Sequence, residues 1–186
     1  VQKNATMKKE VIFLDRDGTI NVDHGYTYKV EDWEFTDKAP QALKELQDAG
    51  FSLCVVTNQS GIGHDLYTTK DMEKLHEHMR SELAKDGVVI EAIAFCPHHR
   101  EAGCNCRKPK TAMIKQIEKE IGSIDYTKSW TIGDKFADVE LGNNAGTKTI
   151  LIKSQYWNDV DLKELSKKPN EIVNNLFEAA QIICNK

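Results

Sequence analysis

Val11-Ile12-Phe13-Leu14-Asp15-Arg16-Asp17-Gly18-Thr19 decides the fold. Four consecutive apolar residues read as a strand buried on both faces, the pattern of a parallel sheet covered by helices. The strand ends in two carboxylates two residues apart, followed by a glycine that permits a sharp turn. Neighbouring acids repel each other. A metal cation offsets that repulsion and leaves one acid to attack phosphorus and the other to transfer a proton.

Working outward, short apolar runs alternate with longer stretches of helical periodicity. Val11 to Leu14, Leu53 to Val56, Ala92 to Phe95, Trp130 to Ile132 and Thr149 to Ile152 read as strands, each ending near polar or glycine residues. Ala39 to Ala49, Thr69 to Ala84, Thr111 to Ile121, Asp138 to Ala145 and Pro169 to Ile183 read as helices. His76 and His78 fall on or beside the wet face of the second, and Cys54 reads as a small core residue. The pattern predicts an α/β fold, a three-layer Rossmann-like parallel sheet with helices on both faces. Ligands of such sheets bind beyond the carboxyl ends of the strands.

Chemistry-bearing residues stand at those ends. The second strand leads into Thr57-Asn58-Gln59-Ser60-Gly61, which offers a hydroxyl, amides and loop N–H groups to phosphate oxygens. Beyond the third comes Cys106-Arg107-Lys108-Pro109, with two cations, and the fourth ends in Gly133-Asp134-Lys135 with Asp138 close behind. In this order the segments resemble the four motifs of the haloacid dehalogenase-type phosphatases over about residues 10 to 152. The resemblance implies a sheet order of 5-4-1-2-3 and hydrolysis through a phospho-aspartate. It makes Asp15 the nucleophile, Asp17 the general acid, and Thr57 and Lys108 the groups that steady the phosphoryl. Mg²⁺ would be held by Asp15, Asp134 and the backbone carbonyl of Asp17. Asp138 would orient the lysine or the metal shell.

The chain has five cysteines, an odd number, and Cys96, Cys104 and Cys106 crowd together. With the adjacent His98-His99 pair they offer three thiolates and an imidazole, the ligand set of a closed structural zinc site; buried free thiols or a redox pair are the alternatives. Such a site would fix the loop that leads into Arg107 and Lys108. A zinc loop in this place narrows the resemblance to the branch that holds the D,D-heptose 1,7-bisphosphate and histidinol-phosphate phosphatases. The Cys-x-His pattern of that branch selects His98 as the ligand and leaves His99 solvent-facing.

Within the branch, Asn21 to Tyr26, Glu34-Phe35, Thr57 to Ile62 and Cys96 to His99 look like the heptose enzymes, which remove the 7-phosphate in the making of nucleotide-activated heptose for lipopolysaccharide or another surface glycan. That likeness implies substrate contacts at Asp23, His24, Gly25, Tyr26, Thr57, Asn58, Gln59, Ser60, Arg107, Lys108 and Lys135. Two features depart from it. The span from His98 to Cys104 is short, as in histidinol-phosphate phosphatases, and Gly63-His64-Asp65 stands where the heptose enzymes carry Ala-Arg-Gly. A cation is thereby missing near the pocket mouth, and histidinol phosphate or another sugar phosphate stays open as substrate.

The 186 residues suit one domain, over residues 7 to 186, with 1 to 6 read as a tag remnant or frayed terminus. A hydrophobic share of 40%, a charged share of 29% and a net charge of −4 describe a folded protein without the cationic stripe of a nucleic-acid binder. No run of about 18 apolar residues could span a bilayer and no charged, apolar, small-residue series marks a signal peptide, so the chain is expected in the cytoplasm, as a monomer acting on a small phosphorylated sugar. No large helical insertion follows the first or second motif, which predicts an open pocket without a large cap domain. A non-catalytic binding module would not need Asp15, Asp17, Lys108 and Asp134 together.

Overall fold

The computed structural model describes residues 7–186, so the expectation for residues 1 to 6 lies outside the described residues. Six parallel strands form one sheet: β1 (Val11–Leu14), β2 (Ser52–Asn58), β3 (Ile90–Cys96), β4 (Trp130–Gly133), β5 (Lys148–Ile152) and β6 (Glu171–Val173), in the order β3-β2-β1-β4-β5-β6. The five predicted strands are present and their order is the predicted one. Between and after them lie α1 (Ala39–Asp48), α2 (Ser60–Gly63), α3 (Thr69–Ala84), α4 (Ala112–Ile121), α5 (Phe136–Ala145) and α6 (Leu176–Cys184).

Pro169 to Ile183, predicted as one helix, is instead a strand followed by a helix. Glu171 to Val173 pair with Ile150 to Ile152 of β5, and Asn175 then caps α6 by accepting a hydrogen bond from the Glu178 N–H at 2.9 Å. A three-residue strand is too short to show a period of its own, and the apolar residues of α6 mask it.

Alternation along the strands builds two cores. Ile12 and Leu14 of β1, with Leu53 and Val55 of β2, pack with α1, α6 and the end of α3. Val11 and Phe13, with Cys54 and Val56, face α4 and Leu141 of α5. This is the three-layer arrangement that a doubly covered parallel sheet requires. Cys54 is a core residue as expected, and burial pushes its thiol up to about 12.

Helix α3 starts with a reciprocal capping box between Thr68 and Asp71. His78 is half-buried, but His76, predicted near the wet face, is 5% exposed. The reason is a polar partner inside the fold: Arg16 approaches the His76 ring at 3.2 Å. Among the described residues no helix is long and apolar enough to cross a membrane.

Leu43 of α1 is fully buried in the core beside α6 and the sheet. Leu43→Ala is expected to lower unfolding free energy by about 3 kcal/mol. In urea the midpoint should fall while the denaturant slope stays constant.

Candidate active site

Lys108 organises the site. Its ammonium, 5% exposed as a residue, donates to the Val56 carbonyl at 2.9 Å and to Asp138 Oδ1 at 2.6 Å, and lies 2.9 Å from Asp15 Oδ1. Three protons thus meet three acceptors contributed by β2, by the end of β1 and by α5. Its backbone N–H donates to Asn58 Oδ1 at 3.1 Å, which ties the end of β2 to the same residue. Burial works against a charged lysine, but Asp138 and Asp15 outweigh it and hold the ammonium above its ordinary range.

The carboxylates divide by partner. Burial would raise Asp15, yet Lys108, Lys135 and the Arg16 N–H, which donates to Oδ1 at 2.8 Å, bring it below the usual carboxylate range. Burial and the nearby Asp15 push Asp134 up to about 8, and burial against the pull of Lys108 leaves Asp138 at about 6. Oxygens of all three lie within 4.8 Å of one another. Three buried acids with one strongly raised are a donor set suited to a hard divalent cation. Gly18 makes the close approach possible: its φ is +83°, and a Cβ there would stand 2.2 Å from Asp134 Oδ2.

Asp17 sits in a polar network whose centre the sequence reading missed. The Arg16 guanidinium is fully buried and donates to Asp17 at 2.9 and 3.0 Å and to the Thr27 carbonyl at 2.6 Å. Asn21 Nδ2 donates to Asp17 Oδ1 at 2.9 Å, and Gln59 Nε2 donates to Asp17 Oδ2 at 3.0 Å and to the Thr57 hydroxyl at 2.8 Å. Tyr67 then donates to Gln59 Oε1 at 2.5 Å. A guanidinium only donates, so His76 offers Arg16 an unprotonated Nε2. A buried arginine between two acids in sequence is the one local signal that pointed here.

The strand ends open into a cavity of about 780 Å³ lined by Asp15, Asp17, Asp23, Gly25, Tyr26, Asn58, Gln59, Ser60, Arg107, Lys108 and Lys135, among others. Thr57 is buried behind Gln59. His24 does not line this cavity; it is exposed and lies 3.3 Å from Glu34, in a separate hollow. Arg100, Lys110 and Tyr156 also line the cavity and were not foreseen. Arg100 and Lys110 sit in or beside the loop that the cysteines frame. Tyr156 arrives from the loop after β5, where no motif marks it.

Cys96, His98, Cys104 and Cys106 converge as expected. Neighbouring donor atoms are 3.1 to 3.6 Å apart, far beyond a disulfide and near the roughly 3.8 Å sulfur separation of a tetrahedral zinc–thiolate site. Arg107 Nη1 donates to the His98 carbonyl at 3.2 Å, so the cluster braces Arg107 directly. His99, predicted solvent-facing, is half-buried, its ring 5.5 Å from that of His64. Both departures noted in the sequence meet at this contact, His64 belonging to one and His99 to the other. The short loop runs so near α2 that a Cβ on Gly63 would stand 2.7 Å from the His99 nitrogen and 2.9 Å from the Pro97 carbonyl oxygen. An alanine at 63 would crowd the backbone of this loop.

Gly63→Ala should therefore cost about 1 to 3 kcal/mol by forcing backbone apart, read as a drop in the thermal midpoint. A second expectation concerns His76, which burial, aided by Arg16 and Arg80, pushes down to about 3. An unfolded histidine protonates near pH 6.5, so the unfolded state gains its proton first and stability is lost as pH falls from about 6.5 toward 3. The stability advantage of wild type over His76→Asn should shrink by up to about 1.4 kcal/mol per pH unit across that window, and stay level above it, in denaturant melts at each pH.

Comparisons with known proteins agree with this geometry. A family model described as HAD-hydrolase-like matches residues 105–179. The D-glycero-β-D-manno-heptose-1,7-bisphosphate 7-phosphatase of Haemophilus ducreyi is 39% identical over 180 residues, covering 92% of this chain and 97% of the relative. The enzyme of the same name from Pasteurella multocida is 42% identical over 182 residues, covering 94% and 97%. A crystal structure of the D,D-heptose 1,7-bisphosphate phosphatase of B. bronchiseptica, complexed with magnesium and phosphate, superposes with a TM-score of 0.82 at 28% identity, covering 95% of this chain and 98% of that one. With this identity along nearly the whole length of both proteins, the chain belongs to the D-glycero-β-D-manno-heptose-1,7-bisphosphate 7-phosphatase family of haloacid dehalogenase-like phosphatases.

Proposed function

We propose that the protein is a magnesium-dependent phosphatase that removes the 7-phosphate of D-glycero-β-D-manno-heptose 1,7-bisphosphate through a phospho-aspartate on Asp15. The observation that carries this reading is the ionised Asp15 paired with Lys108 at the floor of a cavity that also presents Arg107 and Lys135.

Asp15 attacks phosphorus, and the bond from phosphorus to the sugar oxygen breaks. Asp17, oriented by Arg16, Asn21 and Gln59, protonates the departing oxygen. It then takes a proton from the water that cleaves the acyl phosphate, releasing inorganic phosphate and restoring Asp15. Lys108 and the Thr57–Gln59 segment hold the phosphoryl oxygens. Asp15, Asp134 and the Asp17 carbonyl would hold Mg²⁺, which when bound neutralises charge on the acceptor carboxylate and on the phosphoryl group. The raised Asp134 and the three clustered acids fit that cation. Cys96, His98, Cys104 and Cys106 would hold a structural Zn²⁺, since four donors leave no open position. Asp23, Gly25, Tyr26, Asn58, Gln59 and Ser60 contact the sugar, and His24 stays outside unless its loop moves. The protein acts as a cytoplasmic monomer.

Histidinol phosphate is the second candidate because of the short loop. Against it, Arg100, Arg107 and Lys110 line the zinc-loop side of the cavity, which suits a second phosphate and repels the ammonium of an amino alcohol.

Phosphate release with Mg²⁺ should be strongest for the β-anomer, weaker for the α-anomer and least for histidinol phosphate at matched low concentration; preference for histidinol phosphate would overturn the substrate reading. Asp15→Asn should lose about 10⁴-fold or more in kcat while remaining folded by circular dichroism. Surviving turnover would remove Asp15 as nucleophile.

A further inference from the structure

The loop after β5 reaches back across the cavity to the loop after β1. Tyr156 Oη donates to Asp23 Oδ2 at 2.7 Å, while the Gly25 N–H donates to Asp23 Oδ1 at 2.9 Å, so both oxygens of this carboxylate are held. The Tyr156 ring lies 4.3 Å from Lys135 Nζ, a cation–π distance, and the same Nζ is 3.5 Å from Asp23 Oδ2 and 3.1 Å from Asp134 Oδ1. One aromatic side chain thereby fixes an acid and a cation that both face the substrate.

The tyrosine is itself anchored. Ser154 Oγ donates to the Asp134 carbonyl at 2.8 Å, and the Tyr156 N–H donates to Ser154 Oγ at 3.3 Å. Trp157 Nε1 donates to the Ile152 carbonyl at 3.2 Å, and its ring is 5.9 Å from that of Phe136 at the start of α5. Yet Tyr156 remains 48% exposed at the cavity. An anchored, half-open aromatic beside paired polar groups suits a sugar: the ring packs against C–H bonds while the acid and ammonium bind hydroxyls.

We infer that Tyr156 is a specificity-determining residue that locks Asp23 and Lys135 into one arrangement and offers its ring to the sugar face of the substrate. The inference rests on the proposed phosphatase function and adds the residue by which a pocket without a large cap distinguishes a phosphorylated sugar from a simple phosphate ester. Asp15, Asp17 and Lys108 perform the chemistry on either substrate. Tyr156 acts on the part of the molecule that stays behind.

The test compares heptose bisphosphate with p-nitrophenyl phosphate, an ester without a sugar, in wild type, Tyr156→Phe and Tyr156→Ala. Tyr156→Phe keeps the ring and loses the bond to Asp23. The ratio of kcat/KM for sugar over nitrophenyl ester should fall about fivefold in Tyr156→Phe, through KM rather than kcat. It should fall further, by about twentyfold, in Tyr156→Ala. In an Asp23→Ala background, which leaves no side-chain acceptor at 23, Tyr156→Phe should add less than about twofold, because the bond it removes is already lost. Equal losses on both substrates, or additive effects with Asp23→Ala, would overturn the inference and leave the phosphatase reading standing. A wild type that does not prefer the sugar bisphosphate would overturn both.

Discussion

A buried ammonium holds the active site together. Lys108 takes its three acceptors from Val56, Asp15 and Asp138, so the ends of β1 and β2 and the start of α5 meet at one atom. Its own loop descends from β3 by way of the cysteine cluster. Each partner depends on the others. Without the lysine, Asp15 and Asp138 would be buried acids beside Asp134 with their main compensating charge gone, a cost of several kcal/mol. Without the acids, burial alone would pull the lysine below its ordinary range. The parallel sheet makes the arrangement possible because it delivers several strand ends to one edge, each bearing a loop free to carry polar groups.

The rest of the polar site is layered outward from this ion pair. Arg16, fully buried, orients Asp17 through hydrogen bonds to its carboxylate and is itself positioned by the Thr27 carbonyl and a neutral His76. Gln59 links Asp17 to Thr57, and Tyr67 links Gln59 to the segment that precedes α3. Asp17, Arg16 and Gln59 are each held by groups further from the reaction, which is how a buried network keeps a defined geometry.

The legible features were those with local signatures. β1 to β5 and the acids and cations at their ends were readable because apolar runs and turn residues are encoded within a few positions. The four metal-binding candidates at 96, 98, 104 and 106 were readable from side-chain chemistry and crowding. What escaped depends on distant partners. β6 exists because Glu171 to Val173 lie against β5, His76 is buried because Arg16 reaches it, and Tyr156 matters because Asp23, far earlier in the chain, accepts its proton. The departures at Gly63 and in the length of the cysteine loop were visible as two facts. That they meet at one backbone contact needed three dimensions.

That contact bears on how the pocket recognises anything. Among the described residues no large helical insertion follows the first or second strand to fold over the site, so discrimination must come from loops, and loops discriminate only when held still. Two devices do the holding here, on opposite sides of the cavity. On one, the cysteine–histidine cluster and its seat on Gly63 fix the loop that presents Arg100 and Arg107. On the other, Ser154 and Trp157 anchor the loop that brings Tyr156 to Asp23 and Lys135. The first wall is cationic and suits a phosphate that is kept. The second mixes an acid, a cation and an aromatic face, and suits hydroxyls and C–H bonds. On the proposed reading, a sugar with a phosphate at each end would meet both walls at once with one phosphate on Asp15, whereas a simple ester would reach only the floor.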